Sequence, residues 1–277
     1  MKHQDSLNQA FTLLTQGSPT EALRAIQPVI DNLDNSHAHG TCCSDRLSVY
    51  YDFADSIQGF LFLSQSGEQR GVKSATLPFA RAYSLAGQCF AALGQHQEAF
   101  NQLKKAVEWD PSSPSLRFLL AEACQALGDQ TSHLACLESA FPLITTREDL
   151  ARYLSYRGIA LIKQGQIDRG VANLRISSRW YPLDVAKRAL IQLADSQGVG
   201  KIRMDEATAT DVMVAAGDAF LPQQETSQAL VDLATQSVSQ GNYGIALEAL
   251  NRILAFVKDQ EVEAFVADIK KLQAQQG

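Results

Sequence analysis

Four side chains able to hold a metal fall within one short tract, His37, His39, Cys42 and Cys43 in His-Ala-His-Gly-Thr-Cys-Cys. Imidazole and thiolate are donors that zinc prefers, but alternate histidines followed by adjacent cysteines match no familiar zinc spacing. A metal-responsive binder is therefore the third of three readings of this chain, and no metal ligand is assigned. The run Gly198-Val199-Gly200-Lys201 carries pieces of a phosphate loop. It lacks a glycine five residues before Gly200, and Ile202 stands where a serine or threonine would hold magnesium, so the loop is incomplete. No His-Glu-x-x-His or Gly-x-Ser-x-Gly motif is present. Isolated histidines such as His96 and His133 are more often surface or packing residues than bases. The expectation is a protein with no catalytic residues and no cofactor.

The elements that position these residues read as helices. The 277 residues are rich in alanine, leucine and glutamine and poor in aromatics, which favours an all-α fold over a sheet. Twenty-four Lys plus Arg stand against 30 Asp plus Glu, a net charge of -6, and no basic cluster offers a face for phosphate backbones. Nucleic acid and membrane surfaces are excluded as expected partners. The first residues lack the apolar core of a secretory signal, and no apolar run reaches the length of a membrane span. A cytoplasmic protein is expected. Cys89, Cys124 and Cys136 lie in helical patterns where small apolar residues belong, and read as reduced core thiols.

The most regular stretch is 78–111. Tyr83, Ala86, Gly87 and Phe90 follow helical spacing, Gly94 punctuates, and Ala99, Leu103 and Ala106 resume the pattern before Pro111. This stretch resembles a tetratricopeptide repeat, a helix-turn-helix unit of about 34 residues, with Tyr83 in place of the usual Trp and Ala86 in place of the usual Leu. The resemblance implies a superhelical solenoid of antiparallel helix pairs and an activity of binding other proteins. The order of units is also similar to a group of bacterial repeat proteins to which no defined activity attaches.

Laying the pattern along the chain gives one repeat domain over 1–277, with units at about 3–36, 80–113, 114–147, 151–184 and 227–260. Trp109-Asp110-Pro111 recurs as Trp180-Tyr181-Pro182, an internal correspondence independent of the glycines. The copy at 114–147 departs at Arg117 and His133, and that at 151–184 at Arg157, Gly170 and Ser177. Residues 37–44 read as a loop. Residues 45–64, with Tyr50, Tyr51, Phe53, Phe60 and Phe62, read as a helix apolar on all sides, one that must be covered by neighbouring repeats or by another chain. Irregular helices are expected over 185–218, and a capping helix over 261–275.

In the resembled family the first helix of each unit lines a groove that receives a peptide or helix. On that basis Arg152, Tyr156, Ile159 and Lys163 form a candidate face, carried back to Phe118, Glu122 and Gln125 and to Arg81, Leu85 and Gln88. The lysine, asparagine and arginine set with which some members hold a chain-terminal carboxylate is lacking: Ser84, Gln88, Leu119, Arg152 and Tyr156 occupy its places. The first functional expectation is an intracellular scaffold that takes a partner protein or peptide in this groove. The second is a self-associating subunit, a homodimer formed through 45–64.

Overall fold

Short apolar helices joined by tight glycine turns dominate the computed structural model, which describes residues 2–38, 44–198 and 203–276. The chain divides into two compact units, Met1–Cys136 and Leu137–Gly277. Each is built from antiparallel helix pairs, so the fold is an all-α helical repeat apart from one small sheet.

The first unit begins with α1 (Lys2–Thr15) and α2 (Pro19–Ala38). Leu7, Ala10, Ala22, Ile26 and Leu33 are fully buried between them and the next pair. That pair is α4 (Phe79–Ala92) and α5 (His96–Trp109), followed by α6 (Pro114–Ala126) and the first turns of α7 (Gln130–Ala140). The α4–α5 turn places Gly94 at φ 73°, a left-handed conformation that L side chains resist, and the same turn recurs at Gly17, Gly128, Gly165 and Gly241. Small residues set the closeness of each pair. A Cβ on Gly87 would lie 2.5 Å from Leu103 Cγ.

Residues 45–64 correct the sequence reading. Instead of one long helix they form β1 (Ser48–Tyr51) and most of α3 (Ser56–Ser66), and β2 (Gly71–Ser74) then pairs parallel to β1 with Val49 opposite Val72. Local chemistry accounts for the change. Val49, Tyr50 and Tyr51 are strand formers, and Asp45 Oδ1 accepts from the Leu47 and Ser48 amides at 2.7 Å, turning the chain into β1. Asp55 then caps α3 by accepting from the Ile57 and Gln58 amides. The aromatic rings are used within the insertion: Tyr51 stacks on Phe53 at 5.0 Å, and both meet Phe62 edge-on. Of the rings proposed for a dimer interface, Tyr51, Phe53 and Phe62 thus pack on one another, and Tyr50 and Phe60 are half-buried.

Two carboxylates dock this insertion on the repeat. Asp52 Oδ2 accepts from the Ala80 amide at the start of α4 at 2.8 Å, and Asp110 Oδ2 accepts from the Ala54 amide at 3.1 Å. The Asp52 amide donates to the Trp109 carbonyl, and the Trp109 ring stacks on Phe79 at 3.8 Å. Burial, with Asp110 nearby, pushes the Asp52 carboxyl up to about 6.

The second unit holds α8 (Arg147–Lys163) and α9 (Ile167–Trp180), then α10 (Asp184–Gln197), α11 (Glu206–Ala215), α12 (Gln224–Ser239), α13 (Tyr243–Leu254) and α14 (Gln260–Gln276). The departures in α8 and α9 have physical reasons. Gly170 departs because its backbone nearly touches that of Gly158, where a Cβ on Gly170 would lie 2.7 Å from the Gly158 carbonyl oxygen. Ser177 donates to the Ala151 carbonyl at 2.7 Å and lies 2.7 Å from Ser155, a buried hydroxyl pair with its polar atoms satisfied. Arg157, in the place of the usual Leu, reaches Asp218. Trp180, the counterpart of Trp109, donates its indole N–H to the Phe220 carbonyl and meets Phe256 edge-on. In α14, Val262, Val266 and Ile269 are buried while Glu263, Asp268, Lys270 and Lys271 face water.

Candidate functional site

The proposed groove residues separate into cleft-lining and core positions. In the first unit a cleft of ≈ 430 Å³ opens among the ends of α1, α4 and α6 and the start of α5. Leu14, Leu103 and Leu119 give it an apolar floor, and Gln88, His96 and Glu122 supply polar groups at its rim. Gln88 and Glu122 are thus brought to one cleft. The Gln88 amide is partly committed, donating toward the Ser84 carbonyl and hydroxyl at 3.3 and 3.2 Å. Arg81 is exposed and donates to Asn8 Oδ1 at 2.8 Å.

Leu85 and Phe118 are corrected. Both are core residues, 4% and 1% exposed, and cannot anchor a ligand from the surface. For Phe118 the cause is register. The units begin at 80, 114 and 151, so the second step is three residues longer than the first. Counted with that spacer, the equivalents of Arg152, Tyr156, Ile159 and Lys163 in α6 are Ser115, Leu119, Glu122 and Ala126. Three of these, Leu119, Glu122 and Ala126, line the cleft. Gln125 is half-buried outside it. Leu119 and Ala126 are the residues that sequence reasoning missed, and the three-residue spacer was the signal.

In the second unit Ile159 and Lys163 line a smaller cleft of ≈ 210 Å³ between α8 and α10, with Ile162, Ala189 and Leu193. Ile159 leans on the cluster of Val171, Leu174, Ala186 and Leu190. Arg152 pairs with Glu148 at 2.8 Å, one turn earlier on α8, and Tyr156 is half-buried. These two do not enter the cleft.

Among the described residues no group of three His, Cys, Asp or Glu side chains is placed to hold a metal ion. His39, Cys42 and Cys43 lie outside the described residues, and His37 meets the edge of Trp109 at 5.5 Å. Residues 199–202 of the glycine run also lie outside them. The thiols of Cys89 and Cys124 are buried, and burial pushes them up to about 11 and about 12, leaving them protonated and unreactive at neutral pH. Among the described residues no helix is long and apolar enough to cross a membrane.

Comparison with known proteins bears on the repeat itself. Residues 80–113, the α4–α5 pair, match the tetratricopeptide repeat family. The chain therefore carries a tetratricopeptide repeat at α4–α5. No curated protein matches the chain. Among solved structures it is similar to a chain in the crystal structure of the APC/C hetero-tetramer Cut9-Hcn1, with 14% identity and a TM-score of 0.38. The match covers 97% of this chain and 49% of that one, so this chain spans about half the length of the chain it matches.

Proposed function

We propose that this chain is a non-catalytic protein-interaction scaffold, working in the cytoplasm, whose first unit takes a peptide or helix of a partner protein in the α1–α4–α6 cleft. The observation that carries the reading is the cleft itself. It combines an apolar floor of leucines with Gln88, His96 and Glu122 at the rim, on helices whose buried faces already complete the repeat. Such a mixture suits a short amphipathic segment, with apolar anchors for affinity and polar groups for register. The net charge of -6 and the lack of a basic cluster favour protein over nucleic acid or anionic lipid.

The test is affinity capture with the full chain as bait beside Leu119→Glu and Glu122→Arg, both of which change the cleft without touching the crossing glycines. A protein recovered by wild type and lost with both variants, and then bound directly by the purified chain, supports the reading. The same list from all three baits, each shown to be folded, removes it.

A further inference from the structure

The insertion between the first two helix pairs has one finished edge and one open edge. Along β1 the outward amides are met within the chain. The Ser48 amide donates to Asp45 Oδ1 at 2.7 Å, and the Ser48 carbonyl accepts from the Asp45 amide at 2.8 Å. The Tyr50 amide donates to Ser44 Oγ at 3.2 Å, and the Asp52 amide to the Trp109 carbonyl at 2.8 Å. Along β2 the situation differs. Gly71 and Ala75 donate to the Leu47 and Tyr51 carbonyls, which turns alternate residues of β2 toward β1. Val72 and Ser74 therefore direct their N–H and C=O groups away from the sheet, and among the described residues no partner meets them. All four residues of β2 are exposed, and Leu47, beside the strand, is 81% exposed.

We infer that β2 is a strand-addition site, one that takes an extended segment of another protein carrying an acidic side chain opposite Lys73. Main-chain hydrogen bonds to Val72 and Ser74 supply the pairing, and side-chain charge supplies the selection. Charge also decides against a second copy of this chain. Two β2 strands paired antiparallel about their centres would set Lys73 against Lys73, and like charges directly opposite are destabilising. A lysine in a short edge strand guards against indiscriminate pairing. A glutamate or aspartate at the central position converts that guard into an attraction. The Lys73 ammonium lies 5.4 Å over the ring of Tyr50, its neighbour on β1, an exposed contact weak enough to be exchanged for a carboxylate on the added strand. The surface is independent of the cleft between α1, α4 and α6.

The test is amide NMR on the full chain with three synthetic heptapeptides of alternating threonine and valine. One has a central glutamate, one a central lysine, and one is the glutamate peptide N-methylated throughout, which cannot donate to a strand. The glutamate peptide is expected to shift the Val72 and Ser74 amides and slow their hydrogen exchange about tenfold at millimolar concentration. The lysine and N-methylated peptides are expected to leave both unchanged. Lys73→Glu should reverse the preference between glutamate and lysine. Ser74→Pro, which removes an outward N–H without breaking a bond to β1, should abolish the response while the circular dichroism spectrum stays that of wild type. No response to the glutamate peptide, or an equal response to its N-methylated form, overturns the inference. Slowed exchange that appears with rising protein concentration and no peptide assigns the edge to a second copy and overturns it too.

Discussion

The backbones of Gly158 and Gly170 approach so closely that a Cβ placed on Gly158 would lie 2.8 Å from the Gly170 carbonyl oxygen. At the equivalent place in the better-formed repeat, a Cβ on Gly87 meets Leu103 Cγ at 2.5 Å and the Ala99 carbonyl only at 3.2 Å. A side chain can turn aside, whereas a helix carbonyl moves only with its helix. Gly158→Ala is therefore expected to cost about 2–3 kcal/mol and Gly87→Ala about 1 kcal/mol. Urea unfolding of both variants checks the order, and equal losses would mean that the Gly170 carbonyl resists a methyl group no more than the Leu103 side chain does.

That asymmetry shows what could be read from the residues alone. Gly94, Ala99, Leu103 and Ala106 recur at fixed spacing, so the helix pairs, their turns and the small-residue crossings are written in local pattern. The insertion is less legible. Tyr50, Tyr51 and Phe53 satisfy an apolar helix and a strand equally well, and only Asp45 and Asp55, each accepting from two amides ahead of it, decide for strand, turn and short helix. Groove positions failed for a different reason. A spacer of three residues rotates a helix register by most of a turn, which put the buried Phe118 in the place of Ser115 and left Leu119 out.

Asp52 links stability to pH. Its carboxyl is raised from 3.8 to about 6 by burial, so the folded chain binds its proton more tightly than the unfolded chain does. The resulting stabilisation is fully present below pH 3.8 and is lost as pH rises through about 6. With allowance for the carboxyl's partial exposure, the loss is of order 1–3 kcal/mol. Asp52→Asn keeps an acceptor for the Ala80 amide and has no proton to lose. Its stability relative to wild type should rise by that amount between pH 4 and pH 7 in paired denaturant titrations. A difference that stays constant across this range would contradict the assignment.

Asp218 is a second point where one residue holds several elements. Its side chain is 1% exposed and lies 2.8 Å from Arg157 on α8 and 2.6 Å from Arg169 on α9. Arg169 adds a second bond through Nε to the other carboxylate oxygen at 3.1 Å. Asp218→Ala leaves both guanidinium groups facing one another without their shared anion. Because both remain partly exposed, the cost should fall below that of a fully buried pair, at about 2–3 kcal/mol. Arg157→Ala should cost less, since the two-point contact from Arg169 survives. Thermal unfolding of the two variants tests this order.

Phe118 and Leu119 are neighbours on α6 with opposite predicted behaviour, which makes them a direct test of the corrected register. Phe118 is 1% exposed, whereas Leu119 is half-buried and lines the cleft. Phe118→Glu buries an unpaired carboxylate and removes a core ring, and is expected to cost about 4 kcal/mol or more and unfold the first unit. Leu119→Glu can turn its carboxylate to water, so about 1 kcal/mol is expected, with helical content intact. If the cleft holds a partner, Leu119→Glu loses it while folded, and Phe118→Glu loses it only by unfolding. Circular dichroism measured beside the capture experiment separates the two. Finding Phe118→Glu folded and Leu119→Glu unfolded would return the groove to the register in which Phe118 faces the ligand.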